Sequence, residues 1–182
     1  ITANDQTITY GDAPANDGVT FSGFTGDDDE TVLGGTLAYA YSYAQYDNVG
    51  DDYTIIPSGL TSNNYAITFA DGTLTVNPKA ATVTPEDGQG KTYGEDDATL
   101  TYTSAGLVNG DVFTGALGRA VGEDVGTYAI TQGTIANANY NITFTTGKTF
   151  KIDPKTVGIT WGETLLTYSG AAQAPEATAT GL

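Results

Sequence analysis

The chain contains no cysteine, no histidine and no methionine, and its 182 residues carry only six lysines and arginines. Each absence removes a class of chemistry. Without cysteine there is no disulfide framework and no thiol nucleophile, so the fold must rest on its core and its neighbours, while the redox compartment stays open. Without histidine the commonest general base is gone, which leaves Ser, Thr, Tyr, Lys and carboxylates for any catalysis. Six cations against 22 acidic residues set the net charge at −16. Nucleic acid and anionic lipid both demand clustered Lys and Arg, so neither is expected as a partner. No apolar run approaches the ~20 residues that span a bilayer, and direct membrane insertion is not expected. The chain opens on Ile1 with no basic and apolar leader behind it, and reads as a piece excised from a longer protein.

What is abundant points to strands. Thr, Gly, Asp and Tyr dominate, and Thr, Tyr, Val and Ile broken by Gly turns favour short strands over helices. Two stretches carry the plainest pattern: Asn64–Phe69, a Gly-containing turn and Thr73–Lys79, then Asn139–Phe144, a second turn and Thr149–Lys155. Polar and apolar residues alternate through both, which predicts an antiparallel hairpin written twice, each closing on Pro-Lys.

The repetition extends outward. Thr9-Tyr10-Gly11-Asp12 matches Thr92-Tyr93-Gly94-Glu95, and Tyr53 and Tyr128 lie 75 residues apart after matching Val-Gly pairs. Phe24-Thr25-Gly26-Asp27 loosely matches Leu107-Val108-Asn109-Gly110-Asp111, and the first copy has the longer middle. Three units result: residues 1–79, residues 80–155, and the opening of a third over 156–182, whose Thr164–Tyr168 reads as early strand. Each full unit is expected to be a small all-β domain of five or six strands, immunoglobulin-like or β-grasp-like. In the first the strands fall near 1–9, 20–24, 36–44, 52–56, 65–69 and 73–77. Units of this size bury only about 60% of their unfolded surface, so neighbour contacts matter. Pro78 and Pro154 give stiff, short links, and units stacked end to end as an elongated rod are expected. Such stacking needs the first and last strands of a unit to run the same way, which favours a mixed or Greek-key arrangement.

Few residues invite chemistry. No nucleophile elbow or phosphate-binding glycine loop occurs, and an enzyme is not expected. The acidic turns, with Asp27, Asp28, Asp29, Asp51, Asp52, Asp96 and Asp97, are oxygen-rich enough to be calcium candidates, but their spacing fits no EF-hand. They serve equally as solvated turns that keep strand edges apart. Tyr39, Tyr41 and Tyr43 share one strand face and are candidates for stacking on a glycan or protein; the competing reading turns them into the core. Tyr10, Tyr93, Tyr53, Tyr128, Tyr65 and Tyr140 are expected as core or corner residues whose hydroxyls reach the backbone.

From Tyr93 to Lys155 the succession Tyr-Gly, Leu-Val-Asn-Gly-Asp, Val-Gly-Thr-Tyr-Ala-Ile, Asn-Tyr-Asn-Ile-Thr-Phe and a last strand ending in Pro-Lys resembles the MBG repeats of large bacterial surface proteins and adhesins. The first unit shares the pattern with departures in its middle. The resemblance implies a secreted, bacterial cell-surface parent with many tandem units, often the stalk of an adhesin, and it brings no catalytic residues. The reading is then a non-catalytic, stiff, acidic stalk, monomeric, whose partners are neighbouring repeats of its own chain and which projects a distant binding domain. Two alternatives stand: a module that itself binds host or environmental glycan or protein, and a calcium-stiffened repeat with no other cofactor.

Overall fold

The computed structural model describes residues 1–162 and 164–181. Strand takes 43% of the chain and helix 2%, so the protein is all-β, in several small sheets. The first repeat supplies β1 (Thr2–Ala3), β2 (Gln6–Thr9), β3 (Val19–Thr20), a 3-10 turn at Glu30–Val32, β4 (Gly34–Tyr41), β5 (Gly50–Thr61) and β6 (Gly72–Asn77). Beyond Pro78 follow β7 (Lys79–Pro85), β8 (Gly90–Thr92), β9 (Tyr102–Ala105), β10 (Gly118–Arg119), β11 (Gly126–Thr131), β12 (Tyr140–Phe144) and β13 (Thr149–Asp153). A short pair, β14 (Gly158–Trp161) and β15 (Ala177–Thr180), comes last.

Two compact units emerge, and they cut across the sequence period. The first holds residues 1–84, 103–115 and 134–145; the second holds 85–102, 116–133 and 146–182. In the first unit β2-β6-β5-β4 form one sheet, β1 pairs with β3, and β12-β7-β9 form a third. The core side chains Ile55 and Leu74 are wholly buried, with Val76 and Val83 beside them in exposure. Strand β6 lies between β2 and β5, and its alternate residues Leu74 and Val76 point inward, each stabilising the fold by about 1.5–3 kcal/mol through burial. In the second unit the sheet β10-β11-β13-β8 repeats the order β4-β5-β6-β2, with Ile130, Phe150 and Ile152 buried, and β14 and β15 form a separate antiparallel pair.

The first and last strands of this sheet run side by side in the same direction in both copies, β2 parallel to β6 and β8 parallel to β13. The sheets are therefore mixed, one of the two arrangements expected from the sequence.

Four expectations are corrected. The closing hairpin is not one: β12 pairs parallel with β7, Tyr140 opposite Lys79 through Phe144 opposite Val83, while β13 pairs with β11 and β8. Alternation identified both strands, but the turn between them passes from one sheet to another. In the first copy, Tyr65–Phe69 is not a strand at all; only Ala70 bridges, in parallel, to Thr2. The expected strand over residues 1–9 is split, because β1 pairs with β3 and, after Asn4 and Asp5, β2 joins β6 in a different sheet. In the last segment Thr164–Tyr168 is not strand; the pairing falls on β14 and β15 instead, and Ile159, Trp161 and Tyr168 remain exposed.

Candidate functional site

The chemistry of the first unit gathers on one carboxylate. In Leu107–Asp111, Asn109 and Gly110 take positive φ angles of 55° and 74°, and the Asp111 N–H donates to the Val108 carbonyl at 2.9 Å. This tight turn points the Asp111 side chain back at the opening of β12. There the Tyr140 hydroxyl donates to Asp111 Oδ2 at 2.6 Å and accepts from the Val108 N–H at 3.0 Å. A second phenol reaches the same oxygen: Tyr10, just after β2, donates to Asp111 Oδ2 at 2.8 Å. The two rings meet edge to face at 5.4 Å, a favourable aromatic geometry.

Both tyrosines are buried, Tyr10 2% and Tyr140 6% exposed. Burial, followed by the hydrogen bond and negative charge of Asp111, pushes the Tyr10 hydroxyl up to about 12. Burial and then Asp111 raise Tyr140 as well. Both phenols therefore stay neutral donors throughout the physiological range, and the carboxylate gains two charge-assisted hydrogen bonds.

Gly11 explains why glycine follows Tyr10. Its φ is +91°, and a Cβ there would stand 3.1 Å from Val108 Cγ2, so a larger residue would be strained in the backbone and would crowd the Asp111 turn. Alongside, Asn139 Oδ1 accepts from the Val49 N–H at 3.0 Å, and its Nδ2 donates to Asn48 Oδ1 at 3.0 Å. Motif residues of the first sequence repeat thus bond to motif residues of the second, all inside one compact unit.

The first repeat carries the same device. Tyr65 donates to Asp28 Oδ2 at 2.5 Å and accepts from the Thr25 N–H at 3.3 Å. Asp28, rather than the Asp27 suggested by sequence matching, holds the position of Asp111. The one-residue error arose from matching Gly26-Asp27 with Gly110-Asp111. The two turns have equal length, the Asp28 N–H donating to the Thr25 carbonyl as the Asp111 N–H does to Val108, so Gly26 stands opposite Asn109 and Asp27 opposite Gly110. The pairing itself escaped sequence reading; its signal was an acidic residue closing each turn and a Tyr opening each final segment. Two further tyrosines are corner residues as expected: Tyr53 donates to the Asn48 carbonyl at 2.8 Å and Tyr128 to the Asp124 carbonyl at 2.7 Å.

The remaining candidates are placed as follows. Tyr43 is 3% exposed, packs edge-on against Tyr53 at 5.1 Å and donates to the Asp12 carbonyl. Tyr39 and Tyr41 are half-buried on the same face of β4, and Tyr41 accepts from Asn16. Among the acidic candidates, Asp28 is engaged with Tyr65. Asp29 caps the 3-10 turn by accepting from Thr31, whose hydroxyl and N–H hold its carboxyl below the usual range. Asp27, Asp51, Asp52 and Asp96 are exposed. Among the described residues, no three Asp or Glu side chains are grouped to hold a metal ion.

Asp97 belongs to an ion network in the second unit. Arg119, the one arginine of the chain, donates to Asp97 through Nε at 2.5 Å and Nη2 at 3.0 Å, and to Glu123 at 2.6 Å. Lys91 pairs with both carboxylates, with Asp97 at 2.8 Å. The Arg119 guanidinium also lies 5.2 Å from the Tyr128 ring centre and 5.0 Å from that of Phe150. Hydrogen bonds from Arg119 and then Lys91 hold the Asp97 carboxyl down at about 2. Sequence reading passed over Arg119; its isolation in so acidic a chain was the available signal.

These features define tandem repeats built as small mixed-sheet β-domains, in which phenol–carboxylate contacts link motif residues of successive sequence repeats within the first compact unit. The chain belongs to the MBG domain family of the YGX type, whose model matches residues 1–75 and 81–151. The Tyr-Gly pairs Tyr10-Gly11 and Tyr93-Gly94 fall inside the two matches. The family is a structural repeat domain of surface proteins. No curated protein and no solved structure matches the chain. Among the described residues, no helix is long and apolar enough to cross a membrane.

Proposed function

We propose that the chain is a non-catalytic stalk segment of a bacterial cell-surface adhesin, extracellular, whose tandem repeats hold a distant binding domain away from the cell. One observation carries this reading: the Tyr of the first Tyr-Gly motif is spent on bonding the next repeat, through Asp111 and Tyr140, instead of on a ligand. A buried, charge-assisted contact of this kind resists hinge motion better than a solvated linker does. The net charge of −16 supports the same role by keeping neighbouring stalks apart and soluble.

Small-angle scattering and surface labelling test the two halves of the proposal. Asp111→Ala should give a broader distance distribution than wild type, because Tyr10 of the first sequence repeat and Tyr140 of the second lose the acceptor they share. Antibody raised against the chain should label intact cells of the source bacterium without permeabilisation. Identical scattering from wild type and variant would remove the stiffening role, and labelling only after permeabilisation would remove the surface location.

A further inference from the structure

The two repeats differ at one edge in a way that identifies an interaction surface. In the second repeat, residues Lys79–Val83 of β7 lie between β12 on one side and β9 on the other, making a three-stranded sheet. The equivalent neighbours in the first repeat are Tyr65–Phe69 and the segment from β3 to Gly23. They flank an open groove of about 150 Å³, lined among others by Ile1, Phe21, Phe24, Leu33, Tyr65 and Ile67.

Glycine geometry shows what fits there. Gly106, at φ +88°, approaches β7 so closely that a Cβ would stand 2.6 Å from the Ala80 carbonyl oxygen. Its counterpart Gly23 has nearly the same backbone, φ +93°, yet meets nothing within 4 Å. The glycine is shaped for a strand passing across it, and in the first repeat that space is open.

The ladder is already begun. The Ile1 nitrogen donates to the Thr68 carbonyl at 2.9 Å, and the Ala70 N–H donates to the Ile1 carbonyl at 2.9 Å, as the Thr145 N–H donates to Val83. Ile1 therefore occupies the position of Val83, and the parallel register continues backward from it over Thr68, Ile67, Ala66 and Tyr65.

We propose that this groove is the seat of a four-residue β-strand running directly into Ile1, the counterpart of Lys79–Thr82, which inserts between Tyr65–Thr68 and Phe21–Gly23. Its recognition is by backbone: a parallel ladder on one edge, with small side chains opposite Gly23 and apolar ones toward Phe24 and Ile67. Repeats are then joined by a shared strand that closes one domain, passes a proline and opens the next, and each repeat is complete only with the strand that leads into it. This assignment is independent of whether the parent is an adhesin.

The test is to extend the chain with the sequence Asn-Pro-Lys-Ala-Ala-Thr placed immediately before Ile1. Amide exchange at Ala66 and Thr68, which gain acceptors in the continued register, should slow about tenfold or more, and the unfolding midpoint should rise. The same extension with Pro in place of its second Ala, which lacks the N–H the ladder needs, should give neither effect. Unchanged exchange at Ala66 and Thr68 in the extended chain would overturn the assignment. Concentration-dependent protection of those amides in the unextended chain, with a doubling of mass, would give the groove to a second copy and would overturn it equally.

Discussion

Asp111 Oδ2 accepts hydrogen bonds from two buried phenols at once, Tyr140 at 2.6 Å from its own repeat and Tyr10 at 2.8 Å from the repeat before. Tyr10→Phe keeps the ring and its edge-on contact but deletes one charge-assisted bond, and should cost about 1.5–3 kcal/mol. Asp111→Ala leaves both hydroxyls buried without their acceptor and should cost about 3 kcal/mol or more. Urea unfolding measures both. Because Tyr10 and Asp111 share one bond, the double variant should fall short of the sum of the two; additive losses would mean the bond carries no coupling.

The same cluster sets an alkaline limit. Tyr10 holds its proton to about 12 in the folded chain against an ordinary 10 when unfolded. The folded pKa is the raised one, so this contribution is complete below pH 10 and is lost as pH climbs from there toward 12. Tyr10→Phe should flatten that part of the stability curve. An unchanged alkaline limb in the variant would place the titration elsewhere.

Much of this architecture was legible in the sequence because it repeats. The Tyr-Gly pairs, the Val-Gly-Tyr corners and the final strands could be aligned against each other, and period-two alternation marked Tyr140–Phe144 and Thr149–Asp153 as strands. Alternation does not say which strand is the partner. The hairpin expectation took the nearest one in sequence, whereas β12 pairs with β7, some 60 residues earlier, in a parallel ladder no tight turn could make. For the site, the tyrosines stood out by their recurrence, but Asp28 and Asp111 were lost among 22 acidic residues. Only the fold distinguishes a carboxylate that accepts two phenols from those that face water.

That distinction bears on calcium. Asp28 and Asp29 are turned to Tyr65 and Thr31, and Asp97 to Arg119 and Lys91, while Asp27, Asp51, Asp52 and Asp96 are exposed. Millimolar calcium should therefore raise the thermal midpoint no more than a monovalent salt of equal ionic strength, acting only as diffuse screening. A saturable rise confined to calcium, abolished by chelator, would reveal a specific site and would make the acidic turns a metal-dependent stiffening device.

Arg119 should limit stability at the acid end. It combines a two-nitrogen grip on Asp97 with contacts to Tyr128 and Phe150, and lysine can reproduce neither the planar fork nor the stacking. Arg119→Lys, although it conserves charge, should cost about 1 kcal/mol at neutral pH from the lost ring contacts and fork. Asp97 adds a pH dependence of opposite sign to that of Tyr10. Its folded pKa lies near 2 against 3.8 for the free side chain, so its contribution is complete above pH 3.8 and disappears as pH falls toward 2. In Arg119→Lys the cation remains but its geometry is poorer, so the acid limb should become shallower without vanishing, because Lys91 still pairs with Asp97. An acid limb identical to wild type would mean that Lys91 alone holds the Asp97 proton off and that Arg119 serves the aromatic core instead.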